Sequence, residues 1–280
     1  MAARSPLINV MVKAAEKAGR ALIRDFGEVE HLQVSRKGPA DFVSNADTKS
    51  ERICYYELAK ARPEYSFLME EGGRIEGKDQ SNVWIVDPLD GTTNFLHGLP
   101  HFAVSIGLQR EGEPYAGVIF DPIKDELFWA ERNVGAYLGD QRIRVSARQQ
   151  LSESLLATGI PFQLHVGTDT SKKFMGQLES LMEKLAGIRR YGSAALDLAY
   201  VAAGRYEGFW ENGLSSWDVA AGVVLVREAG GFVNEINGKR YILGAPDILA
   251  SNALLQGTLN KILSEANSLE YLLQKILEII

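Results

Sequence analysis

The 280 residues carry 30 Lys and Arg against 36 Asp and Glu, a formal charge of -6, and 46% of them are hydrophobic, which is enough to bury a sizeable core. That acidity argues against an extended nucleic-acid surface, and Cys54, the single cysteine, excludes an intrachain disulfide and a Cys-based zinc site. No run of about 18 apolar residues occurs, so nothing reads as membrane-spanning and the expected setting is a reducing cytoplasm.

Ser5-Pro6 reads as a helix start, with Leu7, Ile8, Met11, Ala15, Leu22 and Phe26 at helical spacing until Gly27. Val29 to Arg36 looks extended, and Lys37-Gly38-Pro39 forms a loop before Asp41-Phe42-Val43. Ser44 or Asn45 caps a second helix that Pro63 ends, and Asp47 in its first turn suits the helix dipole. Ser66 to Met69 is a short strand ending in Glu70-Glu71-Gly72-Gly73. The apolar run Val83 to Val86 then delivers Asp87 and Asp90 into a turn, with Pro88 expected to stop the strand between them. Gly91 permits a tight turn, and Thr92-Thr93 begins a short helix whose free N–H groups face where an anion can sit. Carboxylates beside such a nest repel the phosphate it attracts, and a divalent cation between them resolves the conflict. Asp-Pro and Asp-Gly pairs are also ordinary turn chemistry; other acids elsewhere in the chain tip the reading toward a metal and phosphate site.

Residues 101 to 145 alternate short apolar runs with turn residues, an antiparallel meander. His97 and His101 flank Pro100, and Gly98 between them speaks against a metal-binding pair on one helix. Arg189-Arg190 reads as a solvated turn or a dimer contact. Beyond residue 150 strands alternate with helices: Ser154 to Thr158, a helix from about Thr168 to Ala186, Gly187 to Arg190, a helix from Ser193 to Ala203, and Tyr206 to Glu211. Asp218 opens the next helix, followed by strands at Phe232 to Ile236 and Ile248 to Ser251. The class is therefore α/β, with α+β character in an N-terminal half, residues 1–150, and an α/β half over 151–280. Ser268 to Ile280 places Leu269, Leu272, Leu273, Ile276, Leu277 and Ile280 on one helical face, suited to packing on the body or on a partner subunit.

Glu70, Asp87, Asp90 and Asp218 each end a strand or start a helix. An all-oxygen donor set of this kind selects a hard cation such as Mg²⁺ over zinc.

The run Asp87-Pro88-Leu89-Asp90-Gly91-Thr92-Thr93-Asn94-Phe95, the pair Glu70-Glu71 and the run Trp217-Asp218-Val219-Ala220-Ala221-Gly222 together resemble the signatures of the inositol monophosphatase family. The resemblance spans roughly residues 5 to 265, with all three elements in order; Met69 departs from the small residue usual before the Glu pair. It implies a layered αβαβα sandwich, generally dimeric, and Li⁺-inhibited hydrolysis of a phosphate monoester with two or three Mg²⁺ ions. It also implies that Glu70, Asp87 and the Leu89 carbonyl hold one ion and Asp87, Asp90 and Asp218 another. Phosphate would rest on the N–H groups of Gly91 and Thr92, and Glu70 and the Thr92 hydroxyl would orient the attacking water. Asp47 would stand near the metals and Lys37 near the phosphate, although Arg36 can serve equally.

For the substrate, the resemblance implies a phosphorylated polyol, inositol monophosphate before fructose 1,6-bisphosphate or adenosine 3′,5′-bisphosphate, with Glu211 on a hydroxyl and Gly192-Ser193-Ala194 as a substrate-facing turn. The alternative is a regulatory protein, with or without catalysis, since some bacterial members of the family associate with RNA polymerase and the transcription machinery.

Overall fold

The computed structural model describes residues 4–28, 34–38, 41–160 and 169–266, with backbone alone for 34–38, 41–43 and 169–170. The apolar tail Ser268 to Ile280 and the first part of the extended stretch from Val29 lie outside the described residues.

Helix α1 (Pro6–Phe26) starts where Ser5 Oγ accepts the N–H of Ile8 at 3.2 Å and Pro6 fills a position that needs no donor. A hairpin of β1 (Val34–Gly38) and β2 (Asp41–Ser44) leads to α2 (Asn45–Ala61), which Ser44 caps. The next strands are β3 (Tyr65–Met69), β4 (Gly73–Ile75), β5 (Asp79–Asp90), β6 (Ala103–Arg110), β7 (Glu113–Asp121), β8 (Glu126–Glu131), β9 (Gly135–Leu138) and β10 (Gln141–Ile143), with the short α3 (Thr92–Leu96) after β5. They form one sheet in the order β10-β9-β8-β7-β6-β5-β3-β4, antiparallel except where β3 runs parallel to β5.

A second sheet gathers β11 (Leu155–Thr158), β12 (Gly187–Arg189), β13 (Gly208–Asn212), β14 (Phe232–Asn234) and β15 (Asp247–Ser251) in the order β12-β11-β13-β15-β14. Between them in sequence come α4 (Asp169–Met182), α5 (Ala194–Ala202) and α6 (Ser216–Glu228), and α7 (Gln256–Ala266) follows. The helix expected to reach Ala186 thus ends at Met182.

Both sheets are buried on two faces, and adjacent residues of one strand point into different cores. Trp84 and Val86 of β5 pack with α1 and α2, whereas Val83 and Ile85 meet Ala220 of α6. Phe209 of β13 joins the core of α5 and α6, while Trp210 faces Leu181 of α4 and Leu259 and Leu263 of α7. The layers are therefore helix, sheet, helix, sheet, helix, with α5 and α6 shared by the two sheets. Small residues bring α6 close: a Cβ on Gly107 would lie 2.7 Å from Ala220 Cβ, and one on Gly117 would lie 2.5 Å from Ala221 O. That approach fixes where the start of α6, and with it Asp218, stands over β5 and β6.

Pro88 does not end β5, contrary to the expectation above. Asp87 pairs with Ser105 and Asp90 with Ala103, so three steps along β5 match two along β6. Pro88-Leu89 sits in this bulge, the one place in a central strand where a residue without an N–H is tolerated. The bulge re-aims the chain and leaves Asp90 within electrostatic reach of Asp87.

Candidate active site

The parallel register of β3 and β5 brings the first two acids together. Met69 pairs with Val86, and the N–H of Glu70 continues the ladder onto the Val86 carbonyl at 3.2 Å, which sets Glu70 beside Asp87. Asp87 is buried, its Oδ1 accepts the N–H of Leu89 at 3.0 Å, and its side chain is hydrogen-bonded to that of Glu70. Burial, then the charges of Glu70, Asp90 and Asp218, hold the Asp87 carboxyl well above the usual range.

Asp90 lies on the far side of the bulge. Its Oδ2 accepts Ser193 Oγ at 2.6 Å and the N–H of Ala195 at 2.7 Å, and the N–H of Ala194 also donates to it. Burial outweighs these donors and pushes its pKa up to about 6. Ser193 and Ala194, expected to face substrate, therefore spend their polar groups on Asp90, and Gly192 has the Arg190 guanidinium against it. Asp218 sits in the first turn of α6, where its Oδ2 accepts the N–H of Ser215 at 2.7 Å. It too is raised well above the usual range by burial and then by Asp90.

Gly91 adopts φ 99°, a left-handed conformation that ordinary residues avoid, and so turns the chain into α3. Thr92 opens that helix, and its Oγ1 lies 3.0 Å from both Asp47 Oδ1 and the Leu89 carbonyl. The other oxygen of Asp47 accepts the N–H of Ser44 at 2.9 Å and its hydroxyl at 2.6 Å, closing a capping box. Asp47 is thus both a helix cap and the partner of Thr92, and burial, against those donors, raises its pKa. Ser50 Oγ bonds the Pro88 carbonyl at 2.7 Å, and Asn94 Nδ2 bonds the carbonyls of His101 at 2.8 Å and Tyr191 at 2.6 Å. The loop is pinned from three directions. Lys37 lies on β1, and its side chain is outside the described residues.

Glu211, at the end of β13, is partly buried over Gly159, whose N–H donates to its carboxylate. Burial and then Asp90 push it up to about 8, with Arg190 opposing. Arg205 forks onto Glu126, with Nη1 2.7 Å from Oε2, and lies over the rings of Tyr200 and Phe128. Arg190, exposed just past β12, also acts through its charge on both Glu211 and Asp197.

Asp197 was not singled out from the sequence. Its carboxyl is buried, Oδ1 has no hydrogen-bond partner, and burial followed by Glu211 and Asp90 raises it well above the usual range. The signal was present: an acid within the apolar run Ala194 to Ala202 cannot reach solvent.

Among the described residues no three His, Cys, Asp or Glu side chains form a ready metal cage. Glu70, Asp90 and Asp218 are nevertheless close enough to Asp87, and Asp90 and Glu70 to Asp218, to raise the proton affinity of those two carboxyls. A shared proton and a hard cation relieve the same repulsion, so this all-oxygen set fits a divalent ion such as Mg²⁺.

The inositol monophosphatase family profile matches residues 3–268. An inositol-1-monophosphatase of Mesorhizobium japonicum is 56% identical over 259 residues, 92% of this chain and 96% of that protein. The Nus factor SuhB of Pseudomonas aeruginosa is 44% identical over 249 residues, 88% of this chain and 92% of that protein. The crystal structure of the extragenic suppressor protein suhB from Bartonella henselae superposes with a TM-score of 0.89 at 54% identity, covering 92% of this chain and 98% of that one. With its layered fold, its acid-lined loop and a match over nearly its whole length, the chain belongs to the inositol monophosphatase family.

Proposed function

We propose that the chain is a Mg²⁺-dependent phosphomonoesterase that hydrolyses inositol 1-phosphate to inositol and phosphate. The observation that carries this is the convergence of Glu70, Asp87, Asp90 and Asp218, drawn from three distant stretches, around the Gly91-Thr92 turn. Glu70, Asp87, Asp90, Asp218 and the Leu89 carbonyl would hold the ions. When bound, Mg²⁺ supplies Lewis-acid polarisation of phosphoryl oxygens and lowers the pKa of water.

The protein's own groups do the rest. The N–H groups of Gly91 and Thr92 cradle the phosphate, and Glu70 accepts a hydrogen bond from the attacking water. Thr92 Oγ1 directs its proton to Asp47 Oδ1 or to the Leu89 carbonyl, which leaves a lone pair to receive a hydrogen bond from that water. If Thr92 positions water in this way, Thr92→Ala lowers kcat roughly ten- to a thousandfold with little change in KM. A helix cap alone would instead lower the melting temperature and leave specific activity intact, so melts and kinetics measured together decide.

Glu211 gives the site its preference among esters. The Glu211 carboxyl, seated on the Gly159 N–H, accepts a polyol hydroxyl, a hydrogen bond that reaches about 1.5–3 kcal/mol when the group is ionised. Glu211→Gln raises KM for inositol 1-phosphate and spares p-nitrophenyl phosphate, which lacks the hydroxyls. Equal loss on both substrates would remove Glu211 from recognition. Phosphate release measured across inositol 1-phosphate, fructose 1,6-bisphosphate and adenosine 3′,5′-bisphosphate tests the substrate itself, and preference for either bisphosphate overturns it.

The 44% identity to a Nus factor favours a second reading, association with the transcription machinery. The acid set argues that any such role accompanies catalysis, and a pull-down with RNA polymerase tests it.

A further inference from the structure

Helix α6 carries Asp218 in its first turn and Arg227 with Glu228 in its last. Around that last turn is a cleft of about 380 Å³ lined by Glu113, Arg132, Arg227, Glu228, Phe232 and Arg240 among others. Its volume falls at the small-molecule end of ligand sites.

The charges in the cleft do not balance. Glu228 spends its carboxylate on the N–H groups of Asn133 at 3.0 Å and Gly135 at 2.9 Å. Arg240 Nη2 bonds Glu113 Oε2 at 2.6 Å, and Arg227 Nη2 bonds the Tyr241 carbonyl at 3.1 Å. Three guanidiniums from three different elements thus share a cleft in which Glu113 is the one lining carboxylate not committed to backbone. Burial, then Arg240 and to a smaller extent Arg132, holds Arg227 below its ordinary pKa, against Glu113 and Tyr241. A cation in the last turn complements a helix dipole, which accounts for Arg227. It does not account for Arg132, after β8, and Arg240, beyond β14, converging on the same space.

We propose that this cleft is a second anion site, separate from the acid-lined one, which binds a small, multiply charged phosphate compound. Guanidinium forks match phosphate oxygens in pairs, and several around one concavity favour two or more charges on the ligand. Phe232, 50% exposed at the rim, offers an apolar face to the body of such a compound.

Isothermal titration of the full chain with inorganic pyrophosphate in EDTA tests this, because without metal the acid-lined site repels anions. The expected result is one saturable site that Arg132→Ala weakens and that Arg132→Ala with Arg240→Ala weakens by about tenfold or more, on the scale of one lost charged hydrogen bond. Both arginines are exposed, so the variants should keep the wild-type circular-dichroism melt and phosphatase rate. Asp90→Asn should bind pyrophosphate as the wild type does. Absence of a saturable site in the wild type, equal affinity in the double variant, or loss of binding in Asp90→Asn would each overturn the assignment.

Discussion

Asp218→Asn should retain the fold and lose nearly all turnover of inositol 1-phosphate, and Asp90→Asn should do the same. An amide at 218 keeps an oxygen that can accept the Ser215 N–H, now 2.7 Å away, so the start of α6 survives and the change isolates the charge. Asp90 is similarly placed, since a carbonyl oxygen there can still accept from Ser193 and Ala195. What disappears in each case is a negative charge at the point where, in the proposed mechanism, a cation would sit and the leaving oxygen would develop charge. Removing one such electrostatic stabiliser typically costs roughly a hundred- to a thousandfold in kcat. Near-normal turnover in either variant at saturating Mg²⁺ would show that these two acids do not hold the ion.

The second large effect is on stability. Asp90 is raised from 3.8 to about 6 and Glu211 from 4.5 to about 8, and Asp47, Asp87, Asp197 and Asp218 are raised as well, all of them chiefly by burial. A carboxyl whose pKa is higher in the fold than in the unfolded chain keeps its proton over a window where the unfolded chain has lost it. Stability is therefore greatest below that window and falls as pH rises through it. The shifts place the window between about pH 4 and pH 8. Glu57 and Glu126 are shifted the other way, by Lys17 and by Arg205 respectively, so their contribution is already in place above about pH 4.5 and does not mask the fall. In EDTA the melting temperature should drop steadily from pH 5 to pH 8, by about 5 °C or more if the net effect reaches even 2 kcal/mol. Mg²⁺ should restore more of it at pH 8 than at pH 5, because at high pH the ion replaces protons already gone. A flat or rising melting temperature in EDTA would contradict the burial, and with it the mutual repulsion, that raises these acids.

Much of this site is written locally. The apolar run into Asp87, the turn at Gly91 and the start of α3 at Thr92 are each specified by a few neighbouring residues, and the structure has them in place. Alternation of strands and helices beyond residue 150 likewise reads directly as the second sheet and its flanking helices. What local sequence does not contain is register. The parallel pairing of Met69 with Val86, which sets Glu70 beside Asp87, joins segments separated by β4 and most of β5, and no short-range pattern encodes it. Pro88 misled for a related reason: its missing N–H forbids a regular ladder, but a bulge opposite Ser105 and Ala103 removes the need for that hydrogen bond. The roles of Arg190 and Asp197 escaped for different reasons: a basic pair has an ordinary surface reading, and an acid inside an apolar helix is marked as buried without its partners being named. Only the packing of α5 against β13 brings Asp197 to Glu211, and only the sheet order β12-β11-β13 brings Arg190 there.

The most direct measurement is phosphate release from inositol 1-phosphate as Mg²⁺ is titrated into enzyme stripped with EDTA. The clustering of Glu70, Asp87, Asp90 and Asp218 predicts no turnover without the ion and a saturable rise with it, and an undiminished rate in EDTA would contradict the account.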